Sequence, residues 1–105
     1  MKKGDIVLIP FPFTDLTRNK VRPGVILYEN DLDIIVAFIT STLMQKDITD
    51  VRLTPNSTNG LKTESLLRLD KLATLDKSLA IGKLGEVSKA EGLQINNALR
   101  RILQL

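Results

Sequence analysis

The sequence predicts a mainly β domain, an antiparallel barrel or sheet, with one helix at its C-terminus. Three observations carry this. Short runs rich in branched and aromatic residues are separated by polar turn clusters. The capping-box signature "SKAE" (88–91) opens a stretch with sustained helical spacing. A chain of 105 residues is the size of one domain, here 1–105, with little left for a second module.

"DIVLIPFPF" (5–13) reads as the first strand. Pro10 and Pro12 carry no amide donor, so its far half is an edge, a bulge or the strand's end. "TDLTRNK" (14–20) is a polar loop leading into "RPGVILY" (22–28), the second strand. "END" (29–31) is a turn signal, and "DIIVAFIT" (33–40) a strongly apolar third strand. "DITDVRLT" (47–54) alternates well enough for a half-buried strand. "PNSTNG" (55–60) is the densest turn cluster. "ESLLRLDKLATL" (64–75) fits neither the strand nor the helix template cleanly and is assigned to a strand by its neighbours. After Ser88 as N-cap, Leu93, Ile95, Ala98, Leu99, Ile102 and Leu103 recur at helical spacing, with Arg100 and Arg101 near the C-terminal end. Gly92 costs about 1 kcal/mol relative to alanine inside a helix, which predisposes the first turn to fray. Whether the helix packs on its own sheet or on a second subunit is left open by its periodicity.

Composition excludes several chemistries. Without cysteine there is neither a disulfide framework nor a thiolate metal site. Without histidine the commonest general base and metal ligand are gone together. Any catalysis must use arginine, lysine, carboxylates, hydroxyls or backbone; no cofactor is expected. No apolar run approaches the roughly 18–20 residues that span a bilayer. Asp5 and Pro10 interrupt the N-terminal apolar stretch too soon for a secretion signal, so a cytoplasmic protein with no membrane partner is expected. A net charge of +3 is compatible with a polyanionic partner.

Two places concentrate chemistry. Pro23 pushes Arg22 toward extended geometry and mounts its guanidinium at a loop-to-strand junction. There it either makes a structural ion pair, with Asp15 or Asp5 as partners, or binds an anion, since its fork matches phosphate oxygens. "ITST" (39–42) sets Thr40, Ser41 and Thr42 where a buried strand emerges: a polar cap to the strand, or hydroxyls for a ligand. The 14–20 loop adds Arg18 and Lys20, which in isolation read as a solvated surface.

Taken together, the order "KKGDIVLIPFPF", "VRPGVIL", "VAFITS", "SLLRLDKLATLDK" (65–77) and a C-terminal helix resembles the MazF/PemK family of toxin ribonucleases from type II toxin–antitoxin modules. The resemblance covers nearly the whole chain. It implies an SH3-like antiparallel β-barrel working as a homodimer, metal-independent and sequence-selective cleavage of single-stranded RNA, and an acidic cognate antitoxin that covers the site. It places the catalytic arginine on Arg22 and the catalytic hydroxyl on Thr40. It places RNA contacts on Lys71 with the adjoining Asp70, on Ser41, and on the first loop through Thr14, Asp15, Arg18 and Lys20. The loop departs from the Gly-Ser-Glu-Gln type of many relatives, and Lys71 stands where some carry glutamine. Both departures bear on the recognised base sequence more than on the chemistry.

Two other functions fit the same barrel. A gyrase poison of the CcdB type depends on a C-terminal aromatic residue, and this chain ends "RRILQL". A non-catalytic RNA-binding module would stack bases on aromatic faces, and aromatics are only 4% of the chain.

Overall fold

The computed structural model describes residues 1–10, 21–43 and 49–105. Six strands form one antiparallel sheet: β1 (Asp5–Pro10), β2 (Val21–Glu29), β3 (Asp33–Thr40), β4 (Val51–Leu53), β5 (Ser65–Asp76) and β6 (Gly82–Glu86), in the order β4-β5-β3-β2-β1-β6. A short 3₁₀ turn (Lys77–Leu79) links β5 to β6, and helix α1 (Lys89–Leu103) ends the fold.

Alternation along the strands sorts their side chains onto two faces. One face presents Ile6, Val25, Ala37, Ile39, Val51, Leu53, Leu67 and Leu69 to Ile95 and Ala98 of α1. The other carries a second cluster of Val7, Ile9, Ile26, Ile34, Val36 and Phe38. Each large aliphatic chain buried in this way contributes roughly 1.5–3 kcal/mol. Because both faces are apolar, β3 reads as a continuous hydrophobic run rather than an alternating one. The helix begins as the sequence predicts. Ser88 Oγ accepts from the Glu91 amide (3.1 Å), and Glu91 accepts from the Ser88 amide (2.8 Å). Gly92 stays within the helix, its amide donating to the Ser88 carbonyl at 2.8 Å. The apolar stripe is narrower than its periodicity suggests. Ile95 and Ala98 are buried and Leu99 and Ile102 pack partly beside them, whereas Leu93 and Leu103 point outward.

The sheet curls until its two ends meet. Asn56–Gly60, the turn that follows β4, docks on β6: the Glu86 amide donates to the Thr58 carbonyl (3.0 Å). Asn59 organises this turn from a fully buried position. Its Oδ1 accepts from the amides of Asn56 (3.1 Å) and Leu61 (3.0 Å), and its Nδ2 donates to the Thr54 carbonyl (2.8 Å). Gly60 takes a φ of +70° there, a conformation open to glycine at little cost.

The structure revises the strand limits. The described part of β1 ends at Pro10; the remainder of the expected 5–13 strand lies outside the described residues. The expected 47–54 strand is reduced to Val51–Leu53, with residues 44–48 outside the description. β6 was not anticipated: "GKLGE" has two glycines and no apolar alternation, and pairing with β1 makes it a strand.

Asp5 opens β1 as a buried carboxylate. It accepts from the Lys2 amide (3.0 Å) and pairs with Lys83 (3.3 Å), which also reaches Glu86 (3.4 Å). This answers one expectation: Asp5 is the partner of Lys83, four residues of strand from Ile9, which faces Arg22. Hydrogen bonds to Asp5 and then to Glu86 hold the Lys83 ammonium above the ordinary lysine value of 10.5. A raised pKa stabilises the fold fully below the ordinary value and ceases to do so as pH climbs through the folded one. The difference in Tm between wild type and Lys83→Met is therefore expected to be constant up to about pH 9.5 and to shrink above about pH 10.5. Thermal unfolding by circular dichroism across that range is the check, and a difference that grows with pH would contradict the assignment.

Candidate nucleic-acid interface

Register places the two principal sequence candidates side by side. Gly24 on β2 faces Phe38 on β3, and continuing that register two residues along each strand brings Arg22 level with Thr40. That is two residues past the last pair of the ladder, and the period of two keeps Arg22 and Thr40 on the face of Gly24 and Phe38. Ile9 faces Arg22 from β1, and Leu66 faces Thr40 from β5. Arg52 on β4 faces Leu66 and completes the row. The row Ile9, Arg22, Thr40, Leu66, Arg52 thus crosses five strands on the face opposite α1. It lies at the end of the sheet where β1 finishes, β2 begins and β3 finishes.

The polar members are anchored. Arg22 and Thr40 are half-buried. Thr40 Oγ1 accepts from the Thr42 amide at 3.1 Å, a local turn that fixes the hydroxyl where the strand ends. Arg52 Nε donates to Glu64 at 3.1 Å. Ser41 is exposed directly after Thr40. In the adjoining row Phe38 faces Arg68, and Asp50, just ahead of β4, lies 3.8 Å from the Arg68 Nε.

The structure therefore brings Arg22, Thr40 and Ser41 to one strip. Asp70 and Lys71 are exposed on β5 beyond Arg68, within a bulge. Thr14, Asp15, Arg18 and Lys20 lie outside the described residues. The basic side chains Arg52 and Arg68 were not singled out from the sequence. The only signal for them is period-two placement beside apolar residues, "VRL" and "LLRL". Asp50 was hidden because its partner is 18 residues away in sequence.

As chemistry, the strip offers guanidinium groups and a fixed hydroxyl, a donor set suited to phosphate oxygens. A cavity of about 550 Å³ lies on the other face, between the N-terminal half of α1 and β2, and is lined by Lys2, Val25, Leu27, Val87 and Leu93.

Comparison with known proteins agrees with this architecture. The family model for the PemK-like, MazF-like toxin of type II toxin–antitoxin systems matches residues 2–103. The Mycobacterium tuberculosis toxin MazF-mt6 superposes with a TM-score of 0.80 at 21% identity, over 96% of this chain and 97% of that one. A mycobacterial endoribonuclease in complex with its cognate antitoxin gives 0.79 at 24% identity, over 100% and 96% of the two chains. A further endoribonuclease from a mycobacterial species gives 0.75 at 26% identity, over 100% and 92%. No curated protein matches the chain. With the family model spanning almost every residue and the curled sheet and terminal helix superposing on these toxins, the chain belongs to the PemK-like, MazF-like toxins of type II toxin–antitoxin systems.

Proposed function

We propose that this protein is a metal-independent, sequence-selective endoribonuclease that cuts single-stranded RNA, messenger RNA foremost, and so arrests translation and growth. It works in the cytoplasm as a homodimer and is silenced by an acidic cognate antitoxin. The reading is supported by the juxtaposition of Arg22 with Thr40, and by endoribonuclease activity being ascribed to structural neighbours.

RNA supplies its own nucleophile, which accounts for a site without histidine. The 2′ oxygen attacks the adjacent phosphorus. A new P–O2′ bond forms as the 2′ proton leaves, the P–O5′ bond breaks as the departing O5′ takes a proton from water, and the products are a 2′,3′-cyclic phosphate and a 5′-hydroxyl. The protein must hold these atoms in line and stabilise charge gathering on the phosphate oxygens. Alignment supplies about 7–11 kcal/mol in favourable cases, and one well-aimed donor about 3–4 kcal/mol. Arg22 is the donor. Thr40 Oγ1 accepts from the Thr42 amide and turns its own hydrogen to the same phosphate. Ser41, Lys71, Asp70 and, in the first loop, Thr14, Asp15, Arg18 and Lys20 hold the flanking nucleotides. Asp15 and Arg22 are the two candidates for taking the 2′ proton.

The test is a long single-stranded RNA incubated with the protein in excess EDTA, with the 5′ ends mapped. Cuts at one short recurring sequence are expected. A 2′-deoxy sugar at the mapped position is expected to abolish the cut there. Cleavage of the deoxy substrate at the ordinary rate would refute in-line attack by the 2′ oxygen. RNA bound tightly and left whole would replace the enzyme reading with that of a binding module.

A further inference from the structure

The ladder between β3 and β5 is interrupted. Ala37 faces Leu72, yet the next residue, Phe38, faces Arg68, so Leu69, Asp70 and Lys71 are extra residues on β5. Leu69 turns into the core and is fully buried, while Asp70 and Lys71 stay at the surface. A bulge re-aims side chains that a regular strand would tie to the pleat.

What is re-aimed here is a clamped carboxylate. Arg68 Nε donates to Asp70 Oδ1 (3.1 Å) and Arg68 Nη2 to Oδ2 (2.8 Å). This two-pronged geometry is the most directional form of the pair. Asp50, with a side chain only 3% exposed, precedes β4 and lies 3.8 Å from the Arg68 Nε, adding a second negative charge beside the guanidinium. A surface ion pair adds little to stability, so the consequence of this arrangement is orientation. Arg68 sits diagonally across from Thr40, about 7–8 Å away by sheet geometry.

Each Asp70 oxygen keeps a second lone pair after accepting from Arg68. A carboxylate repels phosphate and accepts from N–H donors. Guanine, cytosine and adenine carry an exocyclic amino group at the base edge, whereas uracil presents carbonyl oxygens there and donates only through its ring N3–H. We propose that Asp70, held in place by Arg68 as a positioning residue, reads an amino-bearing base next to the phosphate bound by Arg22 and Thr40, and so sets one position of the recognised sequence. This rests on the RNA reading of the Arg22–Thr40 strip.

The experiment separates recognition from cleavage. A random-sequence pool of oligoribonucleotides with 2′-fluoro sugars, which cannot be cut by 2′ attack, is retained on immobilised protein and sequenced. An all-ribose pool is mapped for cuts in parallel. Wild type is compared with Asp70→Asn, Arg68→Met and the double variant, each verified as folded by circular dichroism. Wild type is expected to enrich an amino-bearing base at one position about tenfold. Either single variant is expected to lose most of that preference, and the double variant to lose no more than the singles. A uniform loss of retention with the sequence preference unchanged would show a merely structural pair and overturn the proposal, as would a wild type indifferent to amino-bearing bases. If Arg68→Met fails to fold, Asp70→Asn at the exposed end of the pair decides. An all-ribose pool left uncut by a wild type that still shows the preference would refute the ribonuclease and uphold the base reading.

Discussion

Arg22→Ala is expected to lower RNA cleavage by roughly 100- to 1000-fold, the usual consequence of removing one preorganised donor from a developing oxyanion. Arg22 is half-buried at the start of β2, locked behind Pro23, and level with Thr40. Truncating it empties no core position, so Tm is expected to fall by no more than a few degrees. Arg22→Lys sharpens the argument. Lysine keeps the charge and loses the fork, so it is expected to recover only part of the rate. Single-turnover cleavage, with thermal unfolding on the same samples, reads both quantities. A variant that unfolds would instead make Arg22 a structural ion-pair member. Full activity in the alanine variant would remove Arg22 from the chemistry.

The largest effect on stability is expected at Gly85, far from that strip. A β-carbon at Gly85 would sit inside the Thr58 carbonyl oxygen and within 2.6 Å of the Asn59 carbonyl carbon. Both obstacles are backbone and neither can swing aside. Gly85→Ala must therefore push the Asn56–Gly60 turn off β6, break the Glu86-to-Thr58 hydrogen bond and disturb the buried Asn59. Overpacking of this kind costs about 3 kcal/mol, or roughly 15 °C in Tm for a domain of this size. Gly92→Ala is the control, since nothing lies within 4 Å of a β-carbon there and helix propensity favours alanine. Thermal melts of the two variants are expected to move in opposite directions. A Gly85→Ala protein that melts with wild type would show that the turn does not close the barrel.

Much of this was legible in the residues themselves. Branched apolar runs bounded by turn signals located β2 and β3 to within a residue, because strand burial and turn chemistry are both local in sequence. The capping box located the start of α1 for the same reason. The ambiguity of 64–75 also had a physical cause. Leu67, Leu69 and Leu72 all reach the helix-packed core, which neither a period of two nor one of 3.6 allows, and the bulge at 69–71 reconciles them.

What the sequence by itself determined is the class of fold, the family resemblance, and Arg22 with Thr40 as the residues to test. Side-chain type and local backbone restriction left each residue open between a structural and a ligand-binding role, and the resemblance singled out Arg22 and Thr40. Only the tertiary structure decided what each residue faces. Register across β2 and β3, whose last pair is Gly24 with Phe38, set Arg22 and Thr40 on one face two residues further along each strand, and β6 became a strand because β1 and the Asn56–Gly60 turn hold it. Arg68 was joined to an aspartate 18 residues earlier in the chain. These are contacts between segments far apart in sequence, formed only once loop-closure entropy is offset by the burial of both faces of the sheet.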